Sequence, residues 1–175
     1  MSKILTNRFF NRPTLTVARE LLGKFLVVRR GKKEIALMVT EVEAYDGHYD
    51  KASHAHRGET ARNKVMFGGS GVWYVYFVYG MYNMLNIVTG REGFPAAILI
   101  RGVEGVVGPG RLTKKLKITR AVNGKEASRK TGLWFEDRGI QIKKADIVRT
   151  PRVGVHYAGP VWAKKPYRFI IKSHQ

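Results

Sequence analysis

The fold class of this chain rests on residues 73–89, which read WYVYFVYGMYNMLNIVT. Aromatic and β-branched residues fill both halves of this segment, and such residues favour β-strands. Gly80-Met81 separates the halves and supplies a turn, so residues 73–79 and 82–89 are predicted to form an antiparallel hairpin. The sequence on either side is therefore expected to extend a sheet that contains this hairpin.

The flanking sequence predicts more strands than helices. Strands are expected at residues 24–30, 34–43, 94–103, 134–135, 140–142, 146–149, 152–155 and 167–171. Start signals at Pro13 and Pro109 predict two short helices, the first ending before Gly23 and the second running to Arg120. This pattern indicates an α+β fold with a mainly antiparallel sheet, in one domain that spans residues 1–175.

The chain is strongly basic. Its 175 residues include 32 Lys and Arg against 13 Asp and Glu, which gives a formal net charge of +19. Positive charges in this number repel one another in a compact domain, and proteins that carry them usually bind an external polyanion. Nucleic acid is the first candidate partner, ahead of an anionic membrane surface and ribosomal RNA. The charge alone does not separate an enzyme from a packing protein, although the basic residues are spread among aromatics rather than gathered in a tail.

Signals for membrane insertion, secretion and disulfides are weak. The chain has no run of about 18 consecutive apolar residues, the length that a membrane span requires. Residues 1–12 carry three basic side chains and lack the apolar run of a signal peptide. Cysteine is absent, which excludes disulfides, thiolate zinc sites and a cysteine nucleophile. We expect a cytoplasmic, nucleoid-associated protein with no membrane partner.

Residues 44–71 show little periodicity and are rich in Gly, His, Asp and Asn. A non-repetitive segment of this length within a compact domain is more often functional than idle. It contains side chains that metals bind: Asp46, His48, Asp50, His54 and His56. These all fall in one loop, whereas zinc sites usually combine a tight local pair with a distant one. Contacts with the backbone or the base edges of a nucleic acid fit these residue types better than a metal site does, and no metal is predicted.

Two glutamates end the predicted strand 34–43. Alternation along a strand places Glu41 and Glu43 on the same face, directly after an apolar run. They would lie at the mouth of a cavity or form an ordinary surface pair, and spacing alone leaves both interpretations open. Arg101 ends another apolar strand and needs an acidic partner, which Glu43 or Glu104 could supply.

The hairpin gathers four tyrosines around one turn: Tyr74, Tyr76, Tyr79 and Tyr82. Aromatic residues in strands usually belong to the core or to cross-strand pairs. Tyr79 differs because it directly precedes Gly80 at the tip, where a large ring is badly placed for the core and well placed to wedge between stacked bases. A basic surface, an aromatic tip and an aromatic pocket are what extrusion of a base from a duplex requires.

Taken together, the motifs resemble the alkyladenine (3-methyladenine) DNA glycosylase family. The similar segments run in order from about Phe9 to Ile170, nearly the whole chain. They are residues 39–47, 52–54, 62–63, 66–67, 74–82 with Asn86, 99–101, 108–112, 152–155 and 163–169.

The resemblance implies a fold, an activity and a partner. The fold would be a compact α+β domain with a curved, open-barrel-like antiparallel sheet, a few short helices and a protruding aromatic hairpin. The activity would be monofunctional hydrolysis of the N-glycosidic bond of damaged purines: 3-methyladenine, 7-methylguanine, hypoxanthine and ethenoadenine. The partner would be double-stranded DNA, bound by a monomer that needs no cofactor or metal.

The resemblance also implies roles for individual residues. Glu43 would be the general base that activates water, which Arg101 and the backbone carbonyl of Val153 help to hold. Tyr79 and Met81 would intercalate in the minor groove. The base would be bound by Tyr45, His54, Tyr76, Leu99 and Asn86, the last crowding the 2-amino group of guanine. Backbone groups near Ala52 and His54 would read the edge of the base. The DNA backbone would be contacted by Arg62, Asn63, Arg111, Lys114, Lys164 and Lys165.

Two alternatives stay open at the level of sequence. A degenerate relative would bind nucleic acid without catalysis, although Glu43, Tyr79 and Arg101 are all present. A bifunctional glycosylase/lyase would use a lysine amine as a Schiff-base nucleophile, but no lysine falls within the pocket motifs. The chain also departs from larger members of the family between Glu104 and Gly108, where it is much shorter.

Overall fold

The computed structural model describes residues 2–172, which fold around an open antiparallel sheet. The strands follow the order β1-β8-β2-β3-β6-β5-β4, with β10 beside β3, β9 beside β10 and β7 beside β6. Their bounds are β1 Lys3–Ile4, β2 Phe25–Arg30, β3 Lys33–Asp46, β4 Trp73–Val78, β5 Tyr82–Val88, β6 Ala96–Val103, β7 Val106–Val107, β8 Leu133–Asp137, β9 Ile147–Thr150 and β10 Arg168–Ile171.

Short helices complete the fold. Residues 2–172 contain four α-helices, which are α1 Asn7–Phe10, α2 Thr14–Leu21, α3 Pro109–Lys115 and α4 Gly159–Ala163. Single 3-10 turns lie at His54–Arg57, Lys64–Phe67, Arg120–Val122, Lys144–Asp146 and His156–Ala158. The sheet does not close on itself, and the predicted α+β class is confirmed.

Strand β3 links the two parts of the sheet. Its first half pairs with β2, and its second half pairs with β6 on one side and β10 on the other. The register with β6 shifts on both sides of Glu41, which faces Gly102. A Cβ on Gly102 would lie 3.1 Å from the Cβ of Glu41, so only glycine permits this close approach without displacement. Shifts of this kind bend a strand, and here they turn its acidic end away from the β2 side.

The core lies between the sheet and the short helices. Phe10, Trp73 and Phe135 are fully buried and pack ring to ring, with centroids 5.9 Å apart for Phe10 and Phe135 and 5.2 Å apart for Trp73 and Phe135. The indole of Trp73 also donates a 3.1 Å hydrogen bond to the carbonyl of Leu133. This contact satisfies a buried donor and ties β4, at one edge of the sheet, to β8, which lies next to the strand at the opposite edge.

The predicted aromatic hairpin is present as β4 and β5, which pair from Trp73–Ile87 to Val78–Tyr82. The turn comprises Tyr79, Gly80 and Met81 and therefore begins one residue earlier than predicted, with positive φ at Tyr79 and Gly80, 52° and 66°. A positive φ costs an ordinary residue about 1–2 kcal/mol. The tip therefore holds Tyr79 in a conformation that its side chain alone does not favour.

Three predicted elements differ in the structure. The segments 140–142 and 152–155 are not strands; Val153-Gly154 form a turn with Gly154 at φ 73°. The alternating pattern of residues 152–155 is typical of a strand, but a glycine with positive φ reverses the chain instead. Helix α3 ends at Lys115 rather than Arg120, because Lys117 adopts φ 50° and stops helical propagation.

Candidate active site

A cavity of about 360 Å³ opens between the hairpin, β6 and the loops around residues 52–54 and 153–157. It brings together every residue that the sequence predicted to catalyse or to bind the base, along with the tip residue: Glu43, Arg101, Val153, Tyr45, Ala52, His54, Tyr76, Asn86, Leu99 and Tyr79. Many of these residues lie close together because β3, β6, β5 and β4 are consecutive neighbours in the sheet.

Glu43 is the central acidic group of the cavity, and its side chain is fully buried. Its Oε1 accepts a 2.8 Å hydrogen bond from the amide of Val153, and its Oε2 accepts a 2.9 Å bond from the hydroxyl of Tyr45. The Nε of Arg101 lies 3.5 Å from Oε1. The cavity-mouth interpretation of Glu43 is therefore the one that the structure supports.

Burial raises the pKa of Glu43, and four neighbours offset part of the rise. In descending order, these are the charge of Arg101, the amide of Val153, the hydroxyl of Tyr45 and the charge of Arg152. A carboxylate whose pKa moves toward neutrality is a stronger proton acceptor than an exposed one. Such a perturbed acid in a cleft is a recognised mark of a functional site.

Arg101 has a partner that the sequence did not predict. Its Nε donates a 2.8 Å hydrogen bond to Oε1 of Glu41, and the same oxygen accepts a 2.7 Å bond from Nε of Arg168. Glu104, one of the two partners considered, lies exposed in the turn between β6 and β7. The shared face of Glu41 and Glu43 was visible in the sequence, but the role of Glu41 as the nearer partner of Arg101 depends on how β3 bends.

Aromatic side chains line the wall opposite Glu43. The rings of His54 and Tyr76 meet edge to face with centroids 4.6 Å apart, and Tyr74 lies 5.2 Å from Tyr76. The Nδ1 of His54 is 3.2 Å from the hydroxyl of Tyr74. Burial and the charge of Arg62 lower the pKa of His54, while burial raises the pKa of Tyr74 to about 12 and raises that of Tyr76 as well. These rings are therefore uncharged at neutral pH.

Asn86 faces the cavity from β5 and is buried. Its Nδ2 donates 3.1 Å hydrogen bonds to the carbonyls of Tyr74 and Met84. A carboxamide nitrogen has two N–H groups, and both are used here. The oxygen of the side chain is consequently the polar atom that Asn86 can offer to a ligand.

Two hydrogen bonds hold the loop around Ala52, and each joins a backbone atom of Ala52 to a side chain elsewhere in the site. The amide of Ala52 donates to Oδ1 of Asp50 at 3.0 Å, and its carbonyl accepts a 2.8 Å bond from the hydroxyl of Tyr157. Tyr157 lines the cavity as well, and the sequence interpretation did not include it. An aromatic residue just past the segment 152–155 was the one signal available. The base-reading role predicted for the backbone of Ala52 must therefore compete with these two contacts.

The hairpin tip protrudes beside the cavity. Tyr79 is 87% exposed and Met81 is 63% exposed. These two large apolar side chains leave the tip of the hairpin accessible to a binding partner. The structure thus places both predicted intercalating residues where they can meet a partner, although Met81 does not line the cavity itself.

Most of the residues predicted to contact the DNA backbone are exposed or half-buried cations, but one of them, Asn63, is buried. Arg62 lies over the ring of Tyr76, with 5.0 Å from its guanidinium carbon to the centroid. Exposed or half-buried positions are also taken by Arg111, Lys114, Lys164 and Lys165. Asn63 is buried, and its amide group bonds Thr60, His54 and Gly58 of its own loop. The prediction for Asn63 is therefore wrong, because its side chain fixes the loop instead of facing a phosphate.

Within residues 2–172, no three side chains of His, Cys, Asp or Glu are grouped in a way that would hold a metal ion. Among the helices in that same range, none has the length and apolar character needed to span a membrane.

Comparison with known proteins agrees with this geometry. The family model of the methylpurine-DNA glycosylases matches residues 8–108 and 106–175. Three similar curated proteins carry the name "Putative 3-methyladenine DNA glycosylase". The one from Methanocella arvoryzae is 46% identical over 190 residues, covering 97% of this chain and 93% of that protein. The one from Myxococcus xanthus is 43% identical over 180 residues, covering 98% and 91%. The one from Legionella pneumophila is 41% identical over 181 residues, covering 97% and 95%.

Fold, cavity and similarity together define a DNA glycosylase, a hydrolase of DNA repair that binds DNA as its substrate. The chain belongs to the methylpurine-DNA glycosylase family. The family resemblance found in the sequence is confirmed.

Proposed function

We propose that this DNA glycosylase removes damaged purines from double-stranded DNA by hydrolysing the N-glycosidic bond with an activated water, leaving an abasic site. The substrates are 3-methyladenine, 7-methylguanine, hypoxanthine and ethenoadenine. One observation carries the proposal: Glu43 is fully buried in an aromatic cavity, with the amide of Val153 on one oxygen and the hydroxyl of Tyr45 on the other.

The chemical role proposed for Glu43 follows from the reaction. As the bond between C1′ and the purine nitrogen breaks, the sugar gains oxocarbenium character, which a nearby carboxylate stabilises. Glu43 takes a proton from water as the water oxygen bonds to C1′, and the purine leaves with the electrons of the broken bond. Alkylated purines, which are cationic in DNA, leave as neutral bases, whereas hypoxanthine and ethenoadenine leave as anions that take up a proton from solvent. Arg101 keeps the carboxylate ionised and, with the carbonyl of Val153, holds the water.

The aromatic wall accounts for the proposed substrate class. Neutral rings at Tyr45, Tyr76 and His54 can stack on a purine, and their π-faces attract the positive charge of 3-methyladenine and 7-methylguanine. Alkylated bases of this kind leave readily, so selection depends on pocket shape and on flipping. In this proposal Asn86, which lines the cavity, crowds the 2-amino group of guanine, and Leu99 adds an apolar surface.

The exposed tip and the cations supply the proposed mode of DNA binding. Tyr79 and Met81 enter the minor groove and fill the space that the flipped nucleotide leaves. Phosphates on either side are held by Arg62, Arg111, Lys114, Lys164 and Lys165. A single chain, residues 1–175, contributes all of these groups, which is consistent with a monomeric enzyme of one domain.

A panel of duplexes, each with one lesion, tests the proposal. Base release is measured with enzyme in excess, by cleavage of the abasic product in alkali. We expect release of each of the four modified purines and none from the undamaged duplex. Release from no lesion, or equal release of normal and modified adenine, would show that the proposed substrate class is wrong.

A further inference from the structure

An ion pair between Arg152 and Asp50 lies beside the cavity and takes no part in the reaction steps proposed above. The guanidinium of Arg152 holds Asp50 with both terminal nitrogens, at 2.5 Å from Nη1 to Oδ2 and 2.8 Å from Nη2 to Oδ1. Both side chains are fully buried. A planar two-bond contact of this kind fixes the orientation of both groups as well as their distance.

This pair joins three segments of the active site. Arg152 also donates a 2.8 Å bond to the carbonyl of Ala44, the residue between Glu43 and Tyr45. Asp50 accepts the amides of Asp46 and Ala52, each at 3.0 Å. The end of β3, the loop of Ala52 and the turn at residues 152–155 therefore meet at one guanidinium.

Arg152 also occupies an aromatic slot at an energetic cost. Its guanidinium carbon lies 4.8 Å from the ring centre of Tyr45 and 5.2 Å from that of Tyr167. Within the described part of the chain, its Nε is buried and finds no hydrogen-bond acceptor. A buried donor without a partner destabilises the fold, and structural costs of this type concentrate where geometry serves function.

We propose that Arg152, anchored on Asp50, is a positioning residue for the hydrolytic step: it holds the neighbouring Val153 amide on Glu43 and the Tyr45 ring against the cavity. The proposal rests on the function proposed for Glu43. Its geometric basis is adjacency, because the residue directly after Arg152 donates the 2.8 Å bond to Oε1 of Glu43. A shift of the turn would remove that bond while leaving Glu43 in place on β3.

Several charged and titratable groups surround Glu43, so the effect of Arg152 must be separated from theirs. They are Glu41 and Tyr45 on β3, Tyr76 on β4, Arg101 on β6, Arg168 on β10, and Arg152 and Tyr157 on the segment 152–158. Arg101 and Arg152 are the two cations that lower the pKa of Glu43. Loss of Arg152 removes one of these cations directly and loosens the Val153 amide, and both changes raise the pKa of Glu43.

The test is a pH profile of Arg152→Gln, measured as single-turnover release of hypoxanthine from a duplex. We expect the rate at pH 7 to fall by about 10- to 100-fold, the range that small misplacement of catalytic groups produces. We also expect the acid limb of the profile to move to higher pH, while binding to an abasic-site duplex changes little. A folded Arg152→Gln protein with the acid limb of the wild type would overturn the proposal.

Arg152→Lys keeps the inference testable if Arg152→Gln does not fold. Lysine restores a cation but cannot span both oxygens of Asp50 and the carbonyl of Ala44. We expect the acid limb to move to higher pH by a smaller amount than in Arg152→Gln, and a wild-type limb in Arg152→Lys also contradicts the proposal.

Two controls distinguish the role of Arg152 from the general effect of losing an arginine and from the role of Glu43. Arg138→Met removes a guanidinium that pairs with Glu136 at the far end of β8, at 2.9 Å, and should leave the pH profile unchanged. Glu43→Gln is measured alongside. If Glu43→Gln retains base release, the proposed function fails; if Glu43→Gln is inactive and Arg152→Gln has a wild-type profile, only the role of Arg152 fails.

Discussion

The amide of Val153 donates a 2.8 Å hydrogen bond to Oε1 of Glu43, although 110 positions separate the two residues in the chain. The other oxygen of the same carboxylate accepts a bond from Tyr45, two positions away on β3. One contact is thus local and the other is made only by the complete fold. Glu43 is buried, but each of its two oxygens accepts a hydrogen bond. These hydrogen bonds favour the charged form of the carboxylate in a place that bulk water does not reach.

The pH dependence of base release should reflect the burial of Glu43. Burial raises the pKa of this carboxyl, and Arg101 is the largest opposing influence. The proposed base acts only when ionised, so the rate should fall as the pH drops through the raised pKa, at a higher pH than an exposed glutamate would give. A single-turnover profile on a hypoxanthine duplex measures this.

The matched variant for that profile is Arg101→Gln. It removes the principal charge that opposes the rise, so its acid limb should lie at higher pH than that of the wild type. An acid limb at the position of an ordinary exposed glutamate in the wild type would show that Glu43 is not the group that titrates.

Tyr79→Ala should weaken binding to DNA that contains an abasic site. The tip is 87% exposed and held at a positive φ, so its ring is available to stack without rearrangement. Stacking of one aromatic ring on a base is worth about 1–3 kcal/mol, which corresponds to a loss of affinity of about 5- to 150-fold. Fluorescence anisotropy with an abasic-site duplex measures the change.

Ile35→Ala is the control for the tip. Ile35 is another exposed apolar residue, 42% accessible, near the start of β3 and away from the cavity. Its removal should leave the affinity for DNA unchanged. Equal affinities of Tyr79→Ala and the wild type would remove the proposed wedge.

Binding to DNA should weaken steeply with salt. The net charge of +19 and the exposed cations around the cavity predict that about 6–8 phosphates are neutralised, so the slope of log K against log salt should lie near −5 to −7. Lys164→Ala should make the slope less steep by about 1, with little effect on discrimination between lesions. A flat response to salt contradicts the proposed contacts with the backbone.

Borohydride should trap no covalent complex on lesion-containing DNA. A lyase mechanism needs a lysine amine within reach of C1′. Within residues 2–172, the side chains that line the cavity include no lysine. Electrophoresis under denaturing conditions detects a reduced Schiff base as a shifted protein–DNA band, and such a band on a lesion duplex would replace the water mechanism with an amine nucleophile.

The sequence predicted the parts of the site that depend on local pattern. The hairpin followed from aromatic and β-branched residues around Gly80. Alternation along one strand placed Glu43 on the same face as Glu41, without deciding whether that face meets a cavity. The wedge role of Tyr79 followed from its place before Gly80 at the tip. The roles of Glu43, Tyr45 and Tyr76 came from the family resemblance, whose motifs are continuous in the chain. Each of these features needs only a short window of sequence.

What the sequence did not predict depends on contacts between distant segments. The pair of Asp50 and Arg152 spans 102 positions, and the bond from Tyr157 to Ala52 spans 105. Asn63 looked like a polar surface residue, yet its loop buries it. The segment 152–155 has the alternation of a strand, but it forms a turn in which Gly154 has a positive φ.

The most direct test of the account is Glu43→Gln, assayed for single-turnover release of hypoxanthine and for binding to an abasic-site duplex. Glutamine retains the oxygen that accepts the Val153 amide and cannot take a proton from water. We predict that the rate of release falls by about 10²- to 10⁴-fold, the usual contribution of a general base, while affinity for the abasic duplex stays near that of the wild type. Release at the wild-type rate would contradict the account.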